Sequence, residues 1–176
     1  MNFIKTEIEG LYVVELNKLG DERGFFARAW CEKEFAGKNL TSRMVQANTS
    51  YSKNKGTLRG LHYQVSPHEE AKLMRCIKGA IFDVAVDLRP DSGTYKKWFG
   101  IELTESNRRM LFIPEGFAHG YQTLVEDTEV FYMSSAFYAS EAERGLRWND
   151  PAIAIKWPIT ENLNITDKDR SWVDIA

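Results

Sequence analysis

Short apolar runs rich in β-branched and aromatic residues, interrupted every few positions by Gly, Pro, Asn or Asp, make up most of this chain. That punctuation predicts many short strands and few helices. Residues 11–16, 72–77, 80–88 and 129–133 carry the strand pattern most clearly. In the third of these, Phe82, Val84, Val86 and Leu88 alternate with Asp83, Ala85 and Asp87, which predicts a strand with one buried face. The best helical candidate is residues 31–36, ending before Gly37. A turn is expected near residues 140–144, before Gly145, with Ser140 placed to cap it. Antiparallel strands spaced by turns in a chain of 176 residues predict an all-β sandwich, barrel or jelly roll.

Composition bounds the picture further. With 43% hydrophobic and 12% aromatic residues, and no repeat or linker, the chain is expected to form a single domain over residues 1–176. The net charge of −2 arises from 23 basic and 25 acidic residues without long blocks of one sign, so no nucleic-acid footprint and no membrane-seeking face is expected. Any anionic ligand must then be met by locally placed cations. The start has no apolar stretch of signal-peptide length, and no run approaches the roughly 18 apolar residues of a membrane span, so the expected location is cytoplasmic. Cys31 and Cys76 fit neither a disulfide framework nor a zinc site and read as structural.

The candidate chemistry centres on histidine, of which there are three. His62 and His119 stand in Leu58-Arg59-Gly60-Leu61-His62-Tyr63-Gln64 and Pro114-Glu115-Gly116-Phe117-Ala118-His119-Gly120, apolar runs punctuated by glycine and neighboured by Arg and Tyr. Desolvation and nearby charge can tune such an imidazole for proton transfer near neutral pH, although a histidine in an apolar run is more often a satisfied structural one. His68 lies in a polar, proline-containing stretch and reads as a solvated loop residue.

These two segments belong to a longer series. Asp21-Glu22-Arg23-Gly24-Phe25-Phe26, Gln46-Ala47-Asn48, Lys72-Leu73, Asp83-Val84-Ala85-Val86-Asp87-Leu88-Arg89, Gly145-Leu146-Arg147-Trp148-Asn149-Asp150-Pro151 and Lys168-Asp169 occur with them, in order, from about residue 20 to about residue 170. Together they resemble the dTDP-4-dehydrorhamnose 3,5-epimerase family, and several independent motifs are far more specific than any one. The resemblance implies a cupin-type jelly roll and a homodimer in which the early Arg-Gly-Phe segment reaches the neighbouring subunit's pocket. It also implies epimerisation of a nucleotide-linked 4-keto-6-deoxy sugar at C3, C5 or both, with no cofactor and no metal.

Such a reaction needs a base on one face of the sugar, an acid on the other, and a cation or donor at the ketone oxygen, because the enolate must be stabilised. On the family's pattern His62 is the base, Asp169 the carboxylate that orients it, Tyr132 the acid, and Lys72 and Arg59 the cations at enolate and diphosphate. His119 falls near the sugar, Tyr138 at the nucleotide, and Arg23, Gln46 and Asn48 among the substrate-binding residues. Plainer readings exist: Tyr132 and Tyr138 as interior aromatics, Lys72 and Arg59 as surface charges, Asp169 as a helix cap, with Asp167 its rival. Two positions depart from the pattern. Arg28 stands where the family commonly has a glutamate, and a guanidinium cannot accept thymine's ring N–H, so the base is left open along with the sugar. Met133 replaces a frequent lysine. Two other functions compete: a metal-dependent cupin isomerase or oxygenase, for which Pro114 to His119 supply half a signature, and a non-catalytic sugar-nucleotide binding module.

Overall fold

The computed structural model describes residues 1–175. In chain order its first elements are β1 (Asn2–Lys5), β2 (Tyr12–Glu15), β3 (Leu19–Asp21), β4 (Gly24–Phe26), α1 (Glu32–Ala36), β5 (Gln46–Ser52), β6 (Leu58–Gln64) and β7 (Lys72–Lys78). There follow β8 (Ala80–Asp87), β9 (Trp98–Thr104), β10 (Met110–Ile113), β11 (Phe117–Thr123), β12 (Thr128–Ser134), β13 (Glu143–Gly145) and α2 (Asp167–Arg170). The strands form a six-stranded sheet in the order β1-β2-β10-β7-β12-β5, a five-stranded sheet in the order β13-β6-β11-β8-β9, and the hairpin β3-β4. Every strand pairing in these sheets is antiparallel. The sheets face one another as a cupin-type jelly roll, and the helices are short.

Three apolar clusters hold the layers. Val13, Met74, Leu111, Ile113 and Val130 of the larger sheet meet Ile81, Ala85, Leu103 and Phe117 of the smaller one between them. Outside the smaller sheet, Leu58, Leu61, Val84, Val86 and Ala118 pack under Leu146, Ile153, Trp157 and Ile165 of the C-terminal segment. Outside the larger sheet, Val14, Leu73, Met110 and Phe112 pack under Phe35 of α1.

This layering corrects the expectation for β8, which has both faces buried. Its alternating apolar residues lie under the C-terminal segment, while Asp83 and Asp87, both 0% exposed, fill the face toward the other sheet. Two carboxylates can be buried there because each is bonded: Asp83 to His119, and Asp87 to Arg89, Ser92 and Thr94. The stretch near residue 140 also differs from expectation. A turn at 140–142 leads into a strand, β13, that pairs with β6, and Ser140 makes no cap. His68 is half-buried, and its carbonyl accepts from Gln64 Nε2 at 2.9 Å. Cys76 is buried and its thiol is pushed up to about 11 by that burial, which keeps it unreactive. No helix among the described residues is long and apolar enough to cross a membrane.

Candidate active site

Strands β6 and β11 bring His62 and His119 to facing positions in the smaller sheet, next to a register shift between His119 and Tyr121. Glycine permits this approach. A Cβ at Gly120 would stand 2.7 Å from the Arg59 carbonyl oxygen, and one at Gly60, whose φ is +122°, would stand 2.6 Å from Gly120 Cα. Only glycine fits such contacts beside the site.

Both imidazoles are anchored by carboxylates from elsewhere in the chain. His62 Nε2 lies 2.6 Å from Asp169 Oδ1, and the Gly60 N–H donates to Asp169 Oδ2 at 3.2 Å. Thr166 caps α2 by accepting from the Asp169 N–H at 3.2 Å, fixing the helix that carries this carboxylate. Burial opposes ionisation of Asp169, but the bond and charge of His62, with the Gly60 N–H, hold the acid below its ordinary range. An ionised Asp169 can only accept, so Nε2 carries the hydrogen, and in the neutral imidazole the lone pair is on Nδ1. Asp169 is 4% exposed whereas Asp167 lies on the surface, which separates the two rivals. His119 Nε2 makes a parallel pair with Asp83 Oδ1 at 2.7 Å.

Across from His62, β12 of the larger sheet presents Tyr132. Its phenol is pushed above its ordinary range first by burial and then by the charge of Glu70 and the proximity of Tyr121, with Arg59 partly offsetting them. It therefore stays a proton donor at neutral pH. Lys72 Nζ lies 3.0 Å from Glu70 Oε1, both side chains nearly buried, so Lys72 is no surface charge. Arg59 is tied down by Ser52 Oγ at 3.3 Å and the Tyr51 carbonyl at 3.1 Å.

Two adjoining cavity lobes meet at these groups. One, of about 300 Å³, is lined by Arg59, His119 and Tyr121; the other, of about 360 Å³, by Gln46, Asn48 and Tyr138; His62, Lys72 and Tyr132 line both. Gln46 Nε2 donates to Asn48 Oδ1 at 3.0 Å, and Asn48 Nδ2 is buried with no partner. Tyr138 lies at the rim, exposed, with its hydroxyl on Glu143 Oε2 at 2.8 Å.

Arg23 is the expected site residue that the fold does not bring to this cleft. It stands on the β3–β4 hairpin, its side chain 84% exposed and paired with Asp21. Arg28 is likewise elsewhere, bonded to Glu34 at 2.9 Å, so the charge reversal is not presented to this chain's own cleft. Conversely, Ser50, Tyr121, Glu70, Glu143 and Lys168 line the cleft without having been singled out. Strand periodicity would have found two of them, since Tyr121 follows His119 by two positions and Ser50 follows Asn48 by two, on the same faces. Lys168 was in the motif quoted for Asp169; nothing in the sequence points to Glu70 or Glu143.

Residues 5–176 match the family model described as dTDP-4-dehydrorhamnose 3,5-epimerase. The dTDP-4-dehydrorhamnose 3,5-epimerase of Shigella flexneri is 46% identical over 172 residues, covering 96% of this chain and 93% of that protein. The crystal structure of the dTDP-4-dehydrorhamnose 3,5-epimerase from Elizabethkingia anophelis superposes with a TM-score of 0.96 at 38% identity, covering 99% of this chain and 96% of that one. The dTDP-6-deoxy-D-glucose-3,5-epimerase from Legionella pneumophila, in complex with dTDP-4-keto-L-rhamnose, superposes at 0.92 with 40% identity over 98% of this chain and 92% of that one. The chain belongs to the dTDP-4-dehydrorhamnose 3,5-epimerase family, a family of isomerases.

Proposed function

We propose that this protein epimerises a thymidine-diphosphate-linked 4-keto-6-deoxy sugar at carbons flanking the ketone, with His62 as base and Tyr132 as acid. The observation that carries this reading is the placement of the Asp169-backed imidazole and the protonated phenol on facing sheets, with Lys72 between the lobes they share.

His62 Nδ1 takes the proton from the carbon next to the ketone, and the C–H electron pair moves into the enolate. Lys72 offsets the charge that develops on the ketone oxygen, an electrostatic contribution that is large in a water-poor cleft. Tyr132 then gives its phenolic proton to the opposite face of the same carbon. Solvent takes the proton from His62 and restores that of Tyr132, so configuration inverts with no net gain or loss of electrons. Arg59 meets the diphosphate, His119 the sugar, and Gln46, Asn48 and Tyr138 the nucleoside. Thymidine is assigned because the Legionella relative binds a dTDP-sugar in the same fold. The metal-dependent alternative asks for imidazole nitrogens turned jointly to an ion, whereas His62 and His119 each give Nε2 to a carboxylate of its own.

The second subunit completes the site in this reading, supplying Arg23 from a hairpin that lines neither lobe of the His62 cleft in its own chain. Incubation in deuterated water with TDP-, CDP- and GDP-linked 4-keto-6-deoxy sugars, followed by NMR, tests the reading. Deuterium should appear at C3, C5 or both, fastest with the TDP sugar. Binding without any exchange would leave a non-catalytic module.

A further inference from the structure

Gly145 faces His62 in the pairing of β13 with β6, and an indole covers it. A Cβ at Gly145 would stand 2.3 Å from Trp172 Cδ2 and Cε2 and 2.5 Å from Nε1. The φ of Gly145 is not in the left-handed region, so the backbone accepts alanine and the indole alone excludes it. The same ring meets His62 edge-on, with centroids 6.3 Å apart and planes at 71°. Lys168 Nζ stands 5.8 Å from its centroid, at the helix that carries Asp169. The Trp172 Nε1–H is buried and makes no hydrogen bond of full geometry, yet the indole stands close enough to Asp169 to help hold its acid down.

We propose that Trp172 is a positioning residue for the His62–Asp169 pair: its indole backs the imidazole through Gly145 and turns its N–H dipole toward the Asp169 carboxylate. The inference rests on His62 being the base. Asp169 uses Oδ1 for His62 and Oδ2 for Gly60, so an additional dipole near the carboxylate draws negative charge away from the imidazole. Burial raises the Asp169 acid, and the indole is one of the groups, after His62 and Gly60, that lower it again. A carboxylate with less charge to give stabilises the imidazolium less, which keeps His62 available to accept a proton.

The test pairs two variants with two readouts. Trp172→Phe keeps an aromatic ring over Gly145 and removes the N–H. The acid limb of kcat/KM should move to higher pH by roughly half to one unit, with the plateau reduced less than about tenfold. The downfield proton resonance of the His62–Asp169 bond should shift in the enzyme without substrate. Gly145→Ala should displace the indole and lower kcat, yet should add nothing in a Trp172→Ala background, because both changes act through one ring. An unchanged resonance and pH profile in Trp172→Phe, or equal damage by Gly145→Ala in both backgrounds, would overturn the proposal. The resonance is read without turnover, so it judges Trp172 independently of the base assignment, which His62→Asn judges separately.

Discussion

An imidazole serves as a base toward a carbon acid only while one ring nitrogen keeps its lone pair, and a single 2.6 Å contact to Asp169 arranges this for His62. The complementary requirement falls on Tyr132, which must hold a proton until the enolate has formed; burial secures that. Tyr132→Phe removes one hydroxyl, so substrate binding should be nearly unchanged while proton return to the opposite face fails. Exchange of deuterium with retained configuration should then outpace epimerisation by at least about tenfold, followed by NMR of the sugar. Equal loss of both would mean that proton return limits both processes or that another group, such as Tyr121 in the same cleft, is the acid. His62, Lys72 and Asp169 were legible in quoted motifs and Tyr132 from the family pattern, and the four line one cleft. Glu70 and Glu143 were not legible: Glu70 stands two residues before Lys72, but the burial that makes it a counter-ion there is set by the fold, and Glu143 meets Lys168 only because β13 and α2 come together.

At the scale of elements, the jelly roll places polar groups between its sheets and must satisfy them. Asp87 at the end of β8 shows the cost and its compensation. Burial alone would raise its acid, but hydrogen bonds from Arg89, Ser92 and Thr94 outweigh it and hold the value at about 2. That folded-state value lies below the 3.8 of an unperturbed side chain, so Asp87 contributes stability that is complete above about pH 4 and is lost as pH falls toward 2. The contribution is about 2 kcal/mol at neutral pH. Asp87→Asn should lower stability by about that amount at pH 7 and flatten the decline between pH 4 and 2, measured by urea unfolding across that range. An unaltered slope would place the acid sensitivity elsewhere. Strand positions were legible from alternation and turn residues: residues 72–77 and 129–133 fall within β7 and β12. The buried polar face of β8 was not, since periodicity distinguishes two faces but cannot say that a second sheet covers the one bearing aspartates. Nor was β13, three residues long, whose strand character comes from pairing with β6.

For the whole molecule, the β3–β4 hairpin is the outstanding feature. Leu19 and Phe26 are 72% and 69% exposed on one of its faces, and Arg23 projects from its turn. Such a projection suits the neighbour's cleft that the family resemblance assigns to it. Arg23→Ala should weaken nucleotide-sugar binding without slowing exchange at saturation. Mixed in equal amounts with His62→Ala and allowed to exchange subunits, it should regenerate about a quarter of wild-type sites, since half the dimers are mixed and each mixed dimer has one complete site. A monomer in sedimentation, or no recovery after proven subunit exchange, would leave each cleft to a single chain. The architecture as a class was legible from turn-spaced strands. The separation of Arg23 from the chain's own cleft follows from the family resemblance alone, because sequence order by itself does not say which subunit's site a hairpin serves.

The most direct measurement is solvent deuterium uptake by a TDP-linked 4-keto-6-deoxy sugar with wild-type protein and with His62→Asn. The wild type should exchange hydrogen beside the ketone, and the variant, folded and still binding the nucleotide sugar, should lose exchange by about two to four powers of ten. Exchange within about tenfold of wild type in His62→Asn would contradict the account, because no other base in the cleft is asked to begin the reaction.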